Sequence, residues 1–262
     1  MAIAGRLRGI AIEAVVPIVI LLAWGVWSAR AESFFFPPLT DILRSFRENW
    51  LFARVLPDVV PSLGRLVAGY SLAAGFGIVL GVLIGSSRAA RSAAGPWVEF
   101  LRAIPPPVLV PFAILTFGIG SQFKVFVIAI GCVWPVLLNT IDGVRGIEPV
   151  LLETTASYRI GWLDRMRFVL LPAASPRIFA GMRSALSLSL ILMVISEMQA
   201  STNGIGFFVL QSQRSFAIPD MWSGILLLGL LGYASNAIFV VIERRVLRWH
   251  RTAQASAIEQ AA

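Results

Sequence analysis

The sequence predicts an all-α integral membrane protein, and three observations carry that prediction. The 262-residue chain is 57% hydrophobic, with a mean hydropathy of +0.80. Only 14% of its residues are charged, whereas a soluble domain carries roughly 25%. The apolar residues gather into about six runs, each near the length a helix needs to cross a hydrocarbon core. Those runs and their links nearly exhaust the chain, so residues 1–262 are expected to form a single transmembrane domain.

The first run, Ile10–Ser28, follows Arg6 and Arg8, and Ala29-Arg30-Ala31 after it resembles a signal-peptidase site. The run is longer than the usual ~7–15 residue core of a cleaved signal, and further runs follow it, so an uncleaved helix is expected. An amphipathic helix at about 39–51 should come next, behind Pro37-Pro38, with Thr40 as its candidate cap. Its residues Leu39, Ile42, Leu43, Phe46 and Trp50 fall on one face, as in a helix lying at the membrane interface.

The second run, Leu66–Ile84, leads to Gly85 and carries Gly77, Gly81 and Gly85 four residues apart. That stripe lets a neighbouring helix approach closely, and packing within the protomer is the preferred reading over a dimer seam. The third run, Trp97–Phe117, contains Pro105-Pro106-Pro107 and Pro111, so it must bend or break. Near its start Glu99 and Arg102 are spaced for an i,i+3 ion pair. The fourth run, Val125–Leu138, is long enough if it extends from Phe123 to Ile141. The fifth and sixth are Ile178–Ile195 and Met221–Val241.

Between runs four and five lies a long polar stretch, about 143–176, far longer than a link between helices needs. It should hold a short helix, roughly 149–160, with acid near its start and Arg159 at its end, which suits the helix dipole. Arginines concentrate on the side of the membrane that this stretch shares with both termini, including Arg88, Arg91, Arg145, Arg159, Arg165 and Arg244. By the positive-inside rule that side is cytoplasmic, with both termini inside.

Several function classes are disfavoured. The net charge of +8 sits at the ends of apolar runs, as topology determinants do, and forms no phosphate-tracking stripe, so no nucleic-acid partner is expected. One cysteine, Cys132, and one histidine, His250, leave no cluster for a metal centre or an acid–base site. No Gly-x-x-x-x-Gly-Lys-Ser/Thr loop exists, since the sole lysine, Lys124, follows Phe123, so the chain is expected to hold no nucleotide and to be no enzyme. An ion-gradient carrier is the alternative transporter class, but such carriers commonly bury midplane carboxylates, whereas Glu197 and Asp142 lie towards run ends. Three roles are open to Glu197: an outer gate, a pair with a neighbouring helix, or receptor binding. Ser189, Ser196 and Asn139 are further candidates for a polar translocation path.

Blocks across the chain carry a resemblance. They include Phe36-Pro37-Pro38, Ser62-Leu63-Gly64-Arg65, Leu101-Arg102-Ala103-Ile104-Pro105 and Phe117-Gly118-Ile119-Gly120. Leu171-Pro172-Ala173-Ala174-Ser175-Pro176, Gly181-Met182-Arg183, Ser196-Glu197-Met198 and Gly204-Ile205-Gly206 follow in order. Together they resemble the permease subunits of bacterial ABC importers, in the branch that includes nitrate, taurine and aliphatic-sulfonate transporters. The family's cytoplasmic signature of Glu-Ala-Ala, three residues and Gly falls on Glu153, Thr154, Thr155 and Arg159. Arginine thus stands where the family has glycine, and Gly161 comes two residues late.

The resemblance implies a type I importer permease in the bacterial inner membrane, working as a homodimer. Two cytoplasmic ATPase subunits would hold ATP and Mg, and an extracytoplasmic binding protein would deliver the solute. It implies a coupling helix between helices four and five, with Glu153, Thr154, Thr155, Tyr158, Arg159, Ile160 and Gly161 meeting the ATPase. The solute class it implies is a small anion such as a sulfonate, taurine or nitrate.

Overall fold

The computed structural model describes residues 33–249 together with 15, 19 and 23–28. The expected first span, the cleavage-like Ala29-Arg30-Ala31 and both terminal tails lie wholly or mostly outside these residues. Among the described residues every regular element is helical: α1 (Leu39–Glu48), α2 (Val60–Gly85), α3 (Arg88–Arg102), α4 (Val110–Phe117) and α5 (Ser121–Arg145). α6 (Pro149–Ser157), α7 (Trp162–Arg165), α8 (Leu171–Gln199), α9 (Ile205–Arg214) and α10 (Ile218–Val246) complete the order.

Among the described residues, four stretches are long and apolar enough to cross a membrane: Val55–Gly85, Ser121–Arg145, Trp162–Gln199 and Ile218–Val246. Two of these are longer than their α-helical parts because single π turns, Val55–Val59 and Met166–Leu170, extend α2 and α8 at their starts. The proline-rich third run is broken as expected. α3 and the segment Pro106–Phe117 meet at 79°, a bent pair with the geometry of a broken span or a re-entrant loop. The helix begins earlier than the apolar run, at Arg88, because Ser87 supplies an N-cap whose Oγ accepts from the Ala90 amide at 3.3 Å. The amphipathic helix α1 is also present, but Thr40 caps nothing. Pro38 holds the N-cap position and makes no side-chain cap bond.

α2, α5 and α8 form the core. Gly69, Gly77, Gly81 and Gly85 of α2 face Ile128, Val136, Thr140 and Val144 of α5 in turn. A Cβ at Gly77 would stand 2.8 Å from Val136 Cβ, and one at Gly85 would stand 2.9 Å from Val144 Cβ. The glycine stripe is therefore a seam within the protomer. On the other side of α5, Gly181 of α8 lies against the Pro135 carbonyl and Asn139. Cys132 is buried between them, its thiol donating to the Ala185 carbonyl at 3.3 Å, which makes it a packing residue. α10 by contrast turns Tyr233, Ile238 and Val241 outward, an apolar face suited to lipid or to another membrane helix.

Gly81→Val should force α2 and α5 apart and destabilise the purified chain by about 1–3 kcal/mol, the usual range for overpacking. Gly75→Ala, at a glycine on the opposite side with nothing within 4 Å among the described residues, should leave it as stable or more stable by up to about 1 kcal/mol. Thermal unfolding in one detergent, followed side by side for both variants, checks this.

Candidate functional site

Two places in the fold gather the residues singled out from the sequence, and they lie at opposite ends of α8. At its end, the turn Ala200–Gly204 leads from α8 into α9 and is enclosed by charged and polar side chains. Glu197, with 0% of its surface exposed, accepts from Ser62 Oγ and Arg65 Nη1, both at 2.7 Å through Oε1. Its Oε2 accepts from the Gly206 amide at 3.0 Å. Arg65 is spread further, donating to Ser121 Oγ at 3.1 Å, the Asn203 carbonyl at 3.2 Å and Asn203 Oδ1 at 2.5 Å.

Asp58 and Ser62 hold the backbone of the same turn. Asp58 Oδ1 accepts from the Gly204 amide at 2.8 Å, and Ser62 Oγ accepts from the Ile205 amide at 3.0 Å. Lys124 Nζ donates to Ser201 Oγ at 2.7 Å. Within the turn, Gly204 has φ +117°, and a Cβ there would strike the Glu197 carboxylate. Glycine is therefore required twice over, by conformation and by space.

Of the three roles open to Glu197, the geometry shows the pair with a neighbouring helix. The other candidate path residues are also satisfied inside the protomer. Ser189 and Ser196 are fully buried and donate to carbonyls of their own helix, Leu186 at 2.7 Å and Met193 at 2.8 Å. Asn139 is half-buried and donates to the Pro135 carbonyl at 2.8 Å. A separate apolar groove of about 590 Å³ runs between α2, α4 and α5, lined among others by Leu72, Phe76, Phe117 and Ile130. None of the four candidate path residues lines it. The pair Glu99–Arg102 forms as expected, on the exposed face of α3, with Arg102 Nε donating to Glu99 Oε2 at 2.7 Å.

Asp58, Ser62, Arg65, Asn203 and Lys124 were not picked out as site residues from the sequence. A usable signal existed: positions 58, 62 and 65 are spaced i, i+4, i+7, a polar stripe on one face at the head of an apolar helix. What joins that stripe to Glu197 is separated from it by more than 130 residues.

At the other end, the loop before α8 contains α6, which stops at Ser157 and not at Ile160 as expected. The reason is Arg159, whose φ of +52° is left-handed and ends the helix. This is the position where the resembled motif carries glycine, so the arginine adopts the glycine-like backbone there. The turn is closed by the Ile160 amide bonding the Thr155 carbonyl at 3.1 Å. Thr155 is buried, and its Oγ1 donates to the Leu152 carbonyl at 2.7 Å. Glu153, Thr154, Arg159 and Gly161 are exposed. Tyr158 stands out at 78% exposure and Ile160 at 39%, with Val150, Trp162 and Leu163 as exposed apolar neighbours. Among the described residues no three His, Cys, Asp or Glu side chains gather as a metal site would.

The family described as binding-protein-dependent transport system inner membrane component matches residues 77–248. A putative aliphatic sulfonates transport permease of Bacillus subtilis (strain 168) is 28% identical over 90% of this chain and 86% of its own. A nitrate import permease of Leptolyngbya laminosa is 35% identical over 72% of this chain and 68% of its own. A bicarbonate transport system permease of Synechococcus elongatus is 33% identical over 73% of this chain and 69% of its own. Among solved structures, a chain of the MetNI methionine ABC transporter in an inward-facing conformation shares the fold, with a TM-score of 0.65 at 20% identity. It covers 72% of this chain and 94% of its own.

Removing Arg65 strands a buried carboxylate, and breaking such a pair from one side typically destabilises by about 3–5 kcal/mol. Arg65→Ala should therefore unfold at markedly lower temperature than wild type. Glu197→Gln keeps an acceptor for Ser62 and Arg65 and should fall between the two. A thermal series on the purified chain, with Arg102→Ala as the exposed-pair control expected within about 0.5 kcal/mol of wild type, reads the difference.

Proposed function

The chain belongs to the family of binding-protein-dependent transport system inner membrane components, and from that premise we propose that it is the membrane-spanning half of an ATP-driven importer. Two copies would frame one path, with both termini cytoplasmic as the arginine distribution suggests. Two ATPase subunits, carrying ATP and Mg, would dock on the loop around α6. An extracytoplasmic binding protein would face the Glu197 end. The solute is a small anion of the sulfonate, taurine, nitrate or bicarbonate kind, a reading supported by the names of the relatives.

The observation that carries this reading is the loop around α6. Val150 on α6, Tyr158 and Ile160 in the turn after it, and Trp162 and Leu163 on α7 expose apolar area together, which a solvated link would not need. Such a surface suits insertion into a groove on a soluble partner. The apolar stretch Trp162–Gln199, 38 residues and roughly 57 Å long at 1.5 Å per residue, joins this loop directly to Glu197. A push on the loop would tilt that rod and load the Arg65–Glu197 pair at its far end. The translocation path would open and close by rigid-body motion of helices, with Glu197 acting as gate through its hold on the turn. Ser189, Ser196 and Asn139 would serve by packing α8 and α5 so that the rod moves as one body.

Co-purification of the tagged chain with its ATPase subunit tests the proposal. Wild type should retain the ATPase, and Tyr158→Ala should lose it or reduce coupled ATP hydrolysis by at least about tenfold, the effect of truncating an interface anchor. Solute uptake by the chain in vesicles without any ATPase would overturn the reading in favour of an ion-gradient carrier. Arg159→Gly relieves a left-handed conformation and should be as stable as wild type or more so by up to about 1 kcal/mol. Arg159→Val should lower stability instead, as read by thermal unfolding.

A further inference from the structure

We propose that the junction of α2, α5 and α7 binds the headgroup phosphate of an anionic phospholipid. A cavity of about 280 Å³ opens there, and three arginines line it from three separate elements: Arg91 of α3, Arg145 at the end of α5 and Arg165 of α7. No carboxylate is among its lining residues. Its floor is apolar, made by Val144, Met166 and Leu170, and Trp162 forms part of the wall.

The charge balance is what makes this a binding site. Among the described residues, none of the three arginines forms an ion pair with a carboxylate. Arg91 is partly satisfied, donating to the Gly85 carbonyl. Arg165 is not: its Nε is buried and has no hydrogen-bond partner among the described residues. A buried guanidinium donor left unpaired is costly, and an anion delivered to the cavity would satisfy it. Three arginines around one cavity suit the several oxygens of one phosphate group better than a single carboxylate.

The position favours a lipid as the source. Gly85 and Arg145 are the last residues of two membrane-crossing stretches, and Trp162 is the first residue of a third. The cavity therefore lies at the shared end of α2 and α5, two stretches long and apolar enough to cross a membrane, where arginines meet the anionic surface of a bilayer. Its apolar floor continues into the buried cluster of Val82, Ile147, Ala174 and Ile178, so the cavity is closed below and anchored in the helix core. Basic pockets between helices at that surface take lipid headgroups. A bound headgroup would also brace α7 against α2 and α5, beside Leu152 of α6, which lines the same cavity. The site depends only on the membrane placement of the fold and not on the importer reading.

Full-length chain in nanodiscs of phosphatidylcholine with or without phosphatidylglycerol tests it. Native mass spectrometry should show phosphatidylglycerol retained by wild type, and retained roughly tenfold less by Arg145→Gln/Arg165→Gln, given the attraction each arginine exerts on an anionic lipid. Arg91 is left intact because it holds the Gly85 carbonyl. A second readout uses wild type itself. Brominated phosphatidylglycerol should quench the Trp162 contribution, defined by difference from Trp162→Phe, more strongly than brominated phosphatidylcholine does. Equal retention by wild type and the double variant, or equal quenching by both lipids, would overturn the proposal. Millimolar inorganic phosphate that abolishes the difference in quenching and alone stabilises the wild-type chain in neutral lipid would overturn the lipid assignment in favour of a soluble anion.

Discussion

The Arg65–Glu197 ion pair is the interaction on which the rest of the helical arrangement depends. Both side chains are buried, at 5% and 0% exposure, near one end of a bundle that is otherwise held by dispersion and close packing. In lipid no hydrophobic force draws one apolar helix to another, so polar contacts and small-residue seams set which helices meet. Here the pair ties α2 to α8 across the sequence. Ser62 and the Gly206 amide complete the coordination of Glu197, and Ser121 and Asn203 that of Arg65, so neither charge is left bare. The energetic consequence is asymmetric: the intact network is affordable, and half of it is not.

The glycine seam fixes the other dimension. Once Arg65 and Glu197 set the height of α2 against α8, the stripe from Gly69 to Gly85 lets α5 close against α2 along nearly its whole length. Three helices then pack as one body, with Cys132, Val136 and Met193 at its centre. The broken pair α3 and α4 lies beside this body and not within it. Prolines are tolerated in that pair because the freed backbone groups lie where other elements or the interface can satisfy them. α8 gains its mechanical character from the same arrangement, since it is anchored by the ion pair at one end and enters the α6 loop at the other.

How far the sequence could be read differs between the two candidate sites. The loop was legible to within a few residues: its position and its short helix follow from composition and from order along the chain, and Tyr158 was marked by the family resemblance. The end of α6 was misjudged because helix propensity says nothing against Arg159, whereas the turn to Gly161 demands a left-handed residue there. The network around Glu197 was only half legible. Ser62-Leu63-Gly64-Arg65, Ser196-Glu197-Met198 and Gly204-Ile205-Gly206 stood out as separate blocks, and nothing local said that they share one site. Ser189 and Ser196 looked like path residues because serine in an apolar run is ambiguous, and only packing shows them bonded to their own helix.

By itself the sequence determined the class of the protein, the spans within residues 33–249, the break at the prolines and the presence of a structured loop. These are properties of local composition, because a bilayer demands apolar length and internally satisfied backbone wherever the chain crosses it. Tertiary structure alone decided which face the glycine stripe met, which charge answered Glu197, and that three distant arginines line one cavity. Those outcomes depend on the relative height and rotation of helices far apart in sequence. They are set by the mutual fit of side chains once the helices are packed, and one-dimensional spacing does not encode it.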